Sequence, residues 1–272
     1  MIKKWLMGII LTLVATNTAW ADQFKVMTYN VLSHRYLACA GYDKMPNHII
    51  DGQIRIRKIV DILKEQNPDL ISLQEMEKET LKVLQETLSQ DYHIVHSNSL
   101  KKNIDFLVIL CKKSKFTVAE SRIIAYPKSN KNALALKLET RDNQVFWIIN
   151  TKIKWDAEHL PFQYQTGAKQ IQLLARIISH EFHLPVILCG DFNVKPNSRP
   201  LKPLLSNLKD VYYPQAFPTV NIQGDLKRID YIMHSKAFSS QANPPDSLDK
   251  TKTLPSVDHP SDHLPLTATL SL

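Results

Sequence analysis

Two periods of apolar and polar residues alternate along this chain from end to end, with no stretch between them that reads as a linker. Ile56, Ile59, Val60 and Leu63 recur every three or four residues and predict a helix over 54–64, while Ala168, Ile171, Ala175 and Ile178 predict another. A third helix is expected at 80–88. Apolar runs at 24–29, 69–73, 92–95, 106–111, 117–125, 133–138, 145–149 and 186–189 read as strands, and Pro68 separates the first helix from the strand at 69–73. The section between 92 and 149 lacks helical spacing, which implies antiparallel pairing there. At the end of the chain Leu264, Leu266, Ala268, Leu270 and Leu272 alternate with Pro265, Thr267, Thr269 and Ser271, the pattern of a strand with one buried face. Residues 239–255, dominated by Pro, Ser, Asp and Lys, read as loop. Strands throughout with helices interspersed predict an α/β fold in which two sheets pack together under helices.

The first residues follow a different logic. Lys3 and Lys4 precede an apolar run from Trp5 to Val14, and a polar stretch then ends in Ala19-Trp20-Ala21, the small-x-small pattern of a cleaved export signal. The run is too short to span a bilayer. Residues 1–21 are therefore expected to be a signal peptide and 22–272 a single domain, exported to a periplasm or the medium, with no membrane insertion after cleavage and acting as a monomer. Loss of Lys3 and Lys4 lowers the formal charge from +8 by two. Of the three cysteines, Cys111 and Cys189 lie in strand-like runs and read as core thiols; Cys39 is open, and the fold needs no disulfide.

Composition narrows the chemistry. With 44% apolar residues and 22% charged, disorder is excluded. The six glycines, Gly8, Gly41, Gly52, Gly167, Gly190 and Gly224, are scattered, so neither a P-loop nor a dinucleotide fingerprint fits. If this basic protein handles phosphate, side chains or a metal do so. Polar residues stand where apolar strands stop: Asn30, Glu75, Asn150, Asp191 and Asn193. Each alone is an ordinary turn former or cap, but carboxylates gathered at one rim repel unless a cation intervenes, and oxygen ligands favour a hard ion such as Mg2+. Downstream, Asp230 interrupts the apolar segment Arg228-Ile229-Asp230-Tyr231-Ile232, and Asp262 precedes His263 just before the last strand.

These segments carry a resemblance. Thr28-Tyr29-Asn30-Val31-Leu32, Leu73-Gln74-Glu75, Asn150-Thr151, Gly190-Asp191-Phe192-Asn193, Arg228-Ile229-Asp230-Tyr231-Ile232 and Pro260-Ser261-Asp262-His263, in this order, resemble the endonuclease/exonuclease/phosphatase superfamily over the whole chain from Phe24. The branch it most resembles holds deadenylases, nocturnin, the Angel proteins and the mitochondrial 2',5'-phosphodiesterase, through Arg55, Ile104-Asp105, Trp155-Asp156 and Leu254-Pro255-Ser256 as well. The resemblance implies a four-layer α/β sandwich of two mixed β-sheets covered by helices, and Mg2+-assisted attack of water on a phosphoester, with Mn2+ as a substitute. It implies Glu75 and Asn30 as metal residues, and Asp191 as the group that orients and deprotonates water. Asn193 would bond the phosphate oxygens, His263 held by Asp262 would contact the scissile phosphate, and Asp230 would stand behind the site. Asn30, Asn150, Lys152, Arg55 and Asp105 would bind substrate.

Two departures from the branch stand out. Lys152 replaces the His that usually follows Asn-Thr, with Lys154 where a second His is common, and Phe106 follows Asp105 where Gly is usual, narrowing the groove or offering a ring to a base. Trp155 could stack a base, whereas Trp147 reads as core. His180 and His183 are three apart, not the four of a zinc helix, and Pro260 separates His259 from His263. Lys112, Lys113 and Lys115 read either as a solvated strand end or as a phosphate track. Three functions fit: a secreted Mg2+-dependent phosphodiesterase acting on RNA-like substrate, a phosphatase or phospholipase-type enzyme acting on a lipid or small phosphate, and a weakened nucleic-acid-binding pseudoenzyme.

Overall fold

A computed structural model describes residues 23–97, 105–127, 129–157, 159–215 and 217–272. The export signal read at 1–21 and Ile104 lie outside them. The first sheet is built from β1 (Gln23–Asn30), β2 (Leu70–Met76), β3 (Tyr92–His96), β4 (Phe106–Lys112), β13 (Ser239–Asn243) and β14 (Leu266–Ser271), in the order β13-β14-β1-β2-β4-β3. The second holds β5 (Phe116–Ala125), β6 (Asn132–Thr140), β7 (Val145–Lys152), β8 (Val186–Asp191), β9 (Leu208–Asp210) and β12 (Asp230–Ser235), in the order β5-β6-β7-β8-β12-β9. Each sheet is mixed: β1 runs parallel to β2 and β7 parallel to β8, and the other pairs in the two sheets are antiparallel. A hairpin of β10 (Val220–Ile222) and β11 (Asp225–Lys227) lies outside both sheets.

The period of two along the strands explains the layers. In β1, Phe24 and Val26 join Phe146 and Ile148 of β7 and Ile187 and Cys189 of β8 in a core between the sheets, while Met27 and Tyr29 face outward. Those outward residues meet α2 (Gly52–Gln66), which follows the single turn α1 (Asn47–Ile50), and α3 (Lys78–Leu88) through Ile59, Val60, Leu63, Leu81 and Leu84. On the far side α4 (Thr166–Glu181) presents Ile171, Leu174, Ala175 and Ile178 to Ile149, Leu188 and Met233. The result is helix, sheet, sheet, helix. Each large apolar side chain buried on a helix face contributes roughly 1.5–3 kcal/mol, so these faces rather than helix propensity hold the outer layers.

Local chemistry sets the helix ends. The Asp51 side chain accepts from Gln53 N and Ile54 N and starts α2, and Asn67, with φ +45°, stops it before Pro68. The start of α4 is capped from a distance, since Asp156 accepts from the amides of Thr166, Gly167 and Ala168. Trp147 is core, packed edge-on against Phe182 at 4.9 Å, and Cys111 and Cys189 are buried free thiols. Phe106 is buried on the α2–α3 side, so it neither narrows a groove nor offers a stacking ring. Residues 239–243 are a strand rather than loop, because a strand at the sheet edge with little burial can be polar on both faces.

Candidate active site

Strand parity also delivers the site. Asn30 shares the inter-sheet face of Phe24 and Val26, Asp191 that of Ile187 and Cys189, and Lys152 that of Phe146 and Ile148, each as the last residue of its strand. β12 runs antiparallel to β8 with Asp230 opposite Asp191, and β14 runs antiparallel to β1, so Asp230 and His263 reach the same rim from the other direction. Glu75 needs a further device. Leu73 and Met76 both pack on the helix side, which strict alternation forbids for residues three apart; a bulge between them absorbs the difference. Glu75 sits in it at φ +59°, and its carboxylate turns to the rim; Asn193 at φ +53° and Leu32 at φ +55° are also left-handed.

The amide of Asn30 spaces the acids. Its Nδ2 donates to Glu75 Oε1 at 2.9 Å and Asp191 Oδ2 at 3.0 Å, and its Oδ1 accepts from Leu32 N at 3.0 Å. The oxygen therefore points away from the carboxylates, and the amide group spaces the two acids. Glu75 Oε2 accepts from Ser33 N at 2.9 Å. Lys152 Nζ lies between the acids, 2.7 Å from Asp191 Oδ2 and in contact with Glu75 Oε1.

The orienting partner of His263 is Asp230, not the adjacent Asp262. His263 Nδ1 lies 2.9 Å from Asp230 Oδ2, whereas Nε2 is 3.9 Å from Asp262 Oδ1 and 3.9 Å from Asp191 Oδ2. Thr219 Oγ1 donates to the same Asp230 oxygen at 2.6 Å, and Tyr42 OH donates to Asp262 Oδ2 at 3.2 Å. The β10 strand bridges Val220 to His263, and Asn221 N donates to Asp262 O, so the hairpin clamps this segment. Neither Thr219, Tyr42 nor Ser33 stands in a pattern that sequence alone would single out.

Charge follows from these contacts. Burial disfavours the His263 imidazolium, but Asp230, then Asp262 and Asp191, outweigh it and push the group up to about 10. Burial likewise opposes ionisation of Asp191 and Glu75, yet Lys152 chiefly holds both carboxyls below their usual range. For Asp230 and Asp262 burial dominates and raises them.

Two expected substrate residues lie behind the site. Asn150 is 0% exposed: the strand runs two residues beyond it, and it faces the other sheet. It donates to Leu73 O at 2.8 Å and Val108 O at 2.9 Å and accepts from Gln74 Nε2 at 2.8 Å, occupying backbone carbonyls beside the bulge. Arg55 is buried and its guanidinium donates to the carbonyls of Val31, Leu32 and Pro260, bracing the loops around the rim. Asp105 flanks the site and is engaged by Tyr36 OH and Lys131 Nζ, both at 2.8 Å. Asn193 stands at the mouth, its N donating to Asp191 Oδ1 and its Nδ2 to Ile153 O. His180 and His183 join no group of potential metal ligands among the described residues. Lys112 and Lys115 pair with Asp69 at the opposite end of the sheet.

The donor set fits a hard divalent cation. Glu75, Asp191, Asp230 and Asp262 bring buried carboxylates together against the cations Lys152 and His263, and Asp230 Oδ1 is buried without a hydrogen-bond partner. Asp191, Asp230 and His263 each offer a ligand atom within 4.8 Å of the others. Residues 27–263 match the model of the Endonuclease/Exonuclease/phosphatase family. The chain belongs to this family. Members of the family are divalent-metal dependent, in keeping with this donor set. Among curated relatives, the CCR4-Not complex 3'-5'-exoribonuclease subunit Ccr4 of Kluyveromyces lactis is 24% identical over 67% of this chain and 28% of its own length. The chain spans between 28% and 62% of the length of the first curated relatives it matches. The human nocturnin catalytic domain superposes with a TM-score of 0.71 at 23% identity, covering 92% of this chain and 94% of that one. ANGEL2, described as a 2',3'-cyclic phosphatase and solved with adenosine-2',3'-vanadate, gives 0.70 at 19%, covering 93% and 96%. Both show the endonuclease/exonuclease/phosphatase fold.

Proposed function

We propose that this protein is an exported, monomeric, Mg2+-dependent phosphodiesterase that hydrolyses nucleic-acid phosphodiester bonds, RNA-like ones above all. One observation carries the reading: a carboxylate held ionised and an imidazole held protonated face one space, with Asp191 Oδ2 and His263 Nε2 3.9 Å apart. Asp191 accepts the proton of the attacking water. His263 directs Nε2–H toward the phosphate; Asn30 Nδ2, which donates to the two carboxylates, lies 3.3 Å from Nε2 and borders the same space. Asn193, braced by Ile153 O, stands at the mouth for a phosphate oxygen. Glu75 would be the principal residue to hold Mg2+, with Asp230 standing behind the site, and the ion would supply Lewis-acid stabilisation of the phosphoryl charge.

The surface beside the site supports nucleic acid. A cleft of about 220 Å³ adjoins Asn193 and is lined by Trp155, which is 61% exposed, and by Lys154, Lys195 and Lys227. An open indole suits base stacking, and the lysines suit a phosphate backbone. The Lys3-Lys4 start and the Ala19-Trp20-Ala21 ending support export.

The test is a substrate panel of RNA, DNA, dinucleotides, sphingomyelin and phosphoinositides with Mg2+, with and without EDTA. Cleavage of oligoadenylate is expected. Trp155→Ala is expected to raise KM for oligoadenylate about tenfold while leaving turnover of a small chromogenic diester unchanged. Release of phosphocholine or free phosphate without nucleic-acid cleavage would move the assignment to a lipid or small phosphate, and binding without turnover would make the protein a pseudoenzyme.

A further inference from the structure

We propose that Lys152 is an intramolecular competitor of the divalent ion, a resident cation that must leave the space between Glu75 and Asp191 before a metal can enter. The proposal rests on the reading of Glu75 as an ion-holding carboxylate. Parity along β7 places Lys152 on the inter-sheet face at the rim, and its register neighbour in β8 is Asp191 itself. The ammonium lies 2.7 Å from Asp191 Oδ2 and also contacts Glu75 Oε1, and the side chain is only 12% exposed. Glu75 Oε2 accepts from Ser33 N and Oε1 accepts from Asn30 Nδ2, and it is Oε1, facing Asp191, that Lys152 covers.

An ammonium is a compact point charge with three donors, able to bridge two carboxylates much as a small cation does. A divalent ion at Oε1 would stand within a few ångströms of it, and two cations so placed repel. The four-carbon stem gives the exchange a path: Nζ swings to the open mouth as the ion arrives. Two consequences follow. The protein binds metal more weakly than its carboxylates alone would allow, and it folds without metal because Lys152 already neutralises the acids.

Ion binding in the absence of substrate tests this, by calorimetry with MgCl2 and by electron paramagnetic resonance of free Mn2+ on protein stripped with EDTA. Lys152→Met is expected to bind Mn2+ at least tenfold more tightly than wild type, about 1.4 kcal/mol, and Lys152→Arg, which keeps the charge, to stay near wild type. In EDTA, Lys152→Met is expected to melt below wild type and to recover with saturating Mn2+. A Lys152→Met protein that folds only when Mn2+ is added meets the proposal; one that stays unfolded with Mn2+ contradicts it. Equal or weaker Mn2+ binding by Lys152→Met, Lys152→Arg binding as tightly as Lys152→Met, or tight binding that survives Glu75→Gln would each overturn it. The readout needs no catalysis, so a protein that cleaves no nucleic acid leaves this proposal standing, and a failed ion-binding test leaves the assignment of substrate untouched.

Discussion

His263 keeps its proton because Asp230 lies against Nδ1, and this fixes the direction of a pH experiment. A group whose folded pKa is raised works while protonated and loses that state as pH rises through the raised value, here about 10. Asp230→Asn removes the strongest attraction on the imidazolium, so the alkaline limb of the hydrolysis rate is expected to move down by about 1–3 pH units. Asp262→Asn, whose carboxylate is 3.9 Å from Nε2, should move it less. Rates measured between about pH 6 and pH 11 on both variants check this; a larger shift for Asp262→Asn would refute it. At this scale the sequence named the histidine and both acids but matched His263 with the wrong one. Asp262 lies in a bend and comes only within 3.9 Å of Nε2, while β12 brings Asp230 to Nδ1 from another strand. Lys152 was legible as a departure from the branch, but its place between two carboxylates required the register of β7 with β8.

Among the elements, the bulge in β2 is what makes a site of a strand end, and Asn150 supports it from behind. Asn150→Leu would leave Leu73 O, Val108 O and Gln74 Nε2 without this partner in a dry interface, and a loss of about 3 kcal/mol in chemical denaturation is expected. A change under about 1 kcal/mol would show that the bulge stands without it. The helices and long strands were readable because apolar period and length agree. Asn150 was misplaced because the apolar run stops at Ile149 while the strand continues to Lys152. Gly190 shows the reverse case, a residue whose meaning is backbone alone: at φ +149° a Cβ would stand 2.0 Å from Thr151 O, so only glycine lets β7 and β8 close up beside Asp191. The strands of the β10–β11 hairpin are three residues each and β13 is short and polar, so no periodicity marks them.

Across the molecule, the two ends of the sheets have different tasks. At the end away from the site, Asp69 ties three strands together: it accepts from Lys25 N of β1 and from Lys112 and Lys115 around β4. Burial opposes its ionisation, but the bonds from Lys115, Lys25 N and Lys112 prevail and hold it below the usual carboxylate range. A lowered pKa stabilises above the unfolded value and ceases to do so as pH falls through the folded one. Asp69→Asn is accordingly expected to melt below wild type at pH 7, with the gap closing as pH falls below about 4; a gap that persists unchanged would remove the ion pairs from the account. The lysines that read as a possible phosphate track belong to this structural end, and the basic cleft beside Trp155 lies at the other.

The two-sheet architecture was legible as a whole, since continuous apolar strands interleaved with amphipathic helices have few ways to bury both faces. The meeting of six strand ends at one rim was legible only as scattered polar endings. The central claim is that this rim hydrolyses phosphodiesters through Asp191. The most direct test is the rate of oligoadenylate cleavage by wild type and by Asp191→Ala in Mg2+, each repeated in EDTA. The account predicts cleavage by wild type that EDTA abolishes, and a rate at least about 1,000-fold lower for Asp191→Ala at matched protein stability. Equal cleavage by the two proteins, or cleavage that persists undiminished in EDTA, would contradict it.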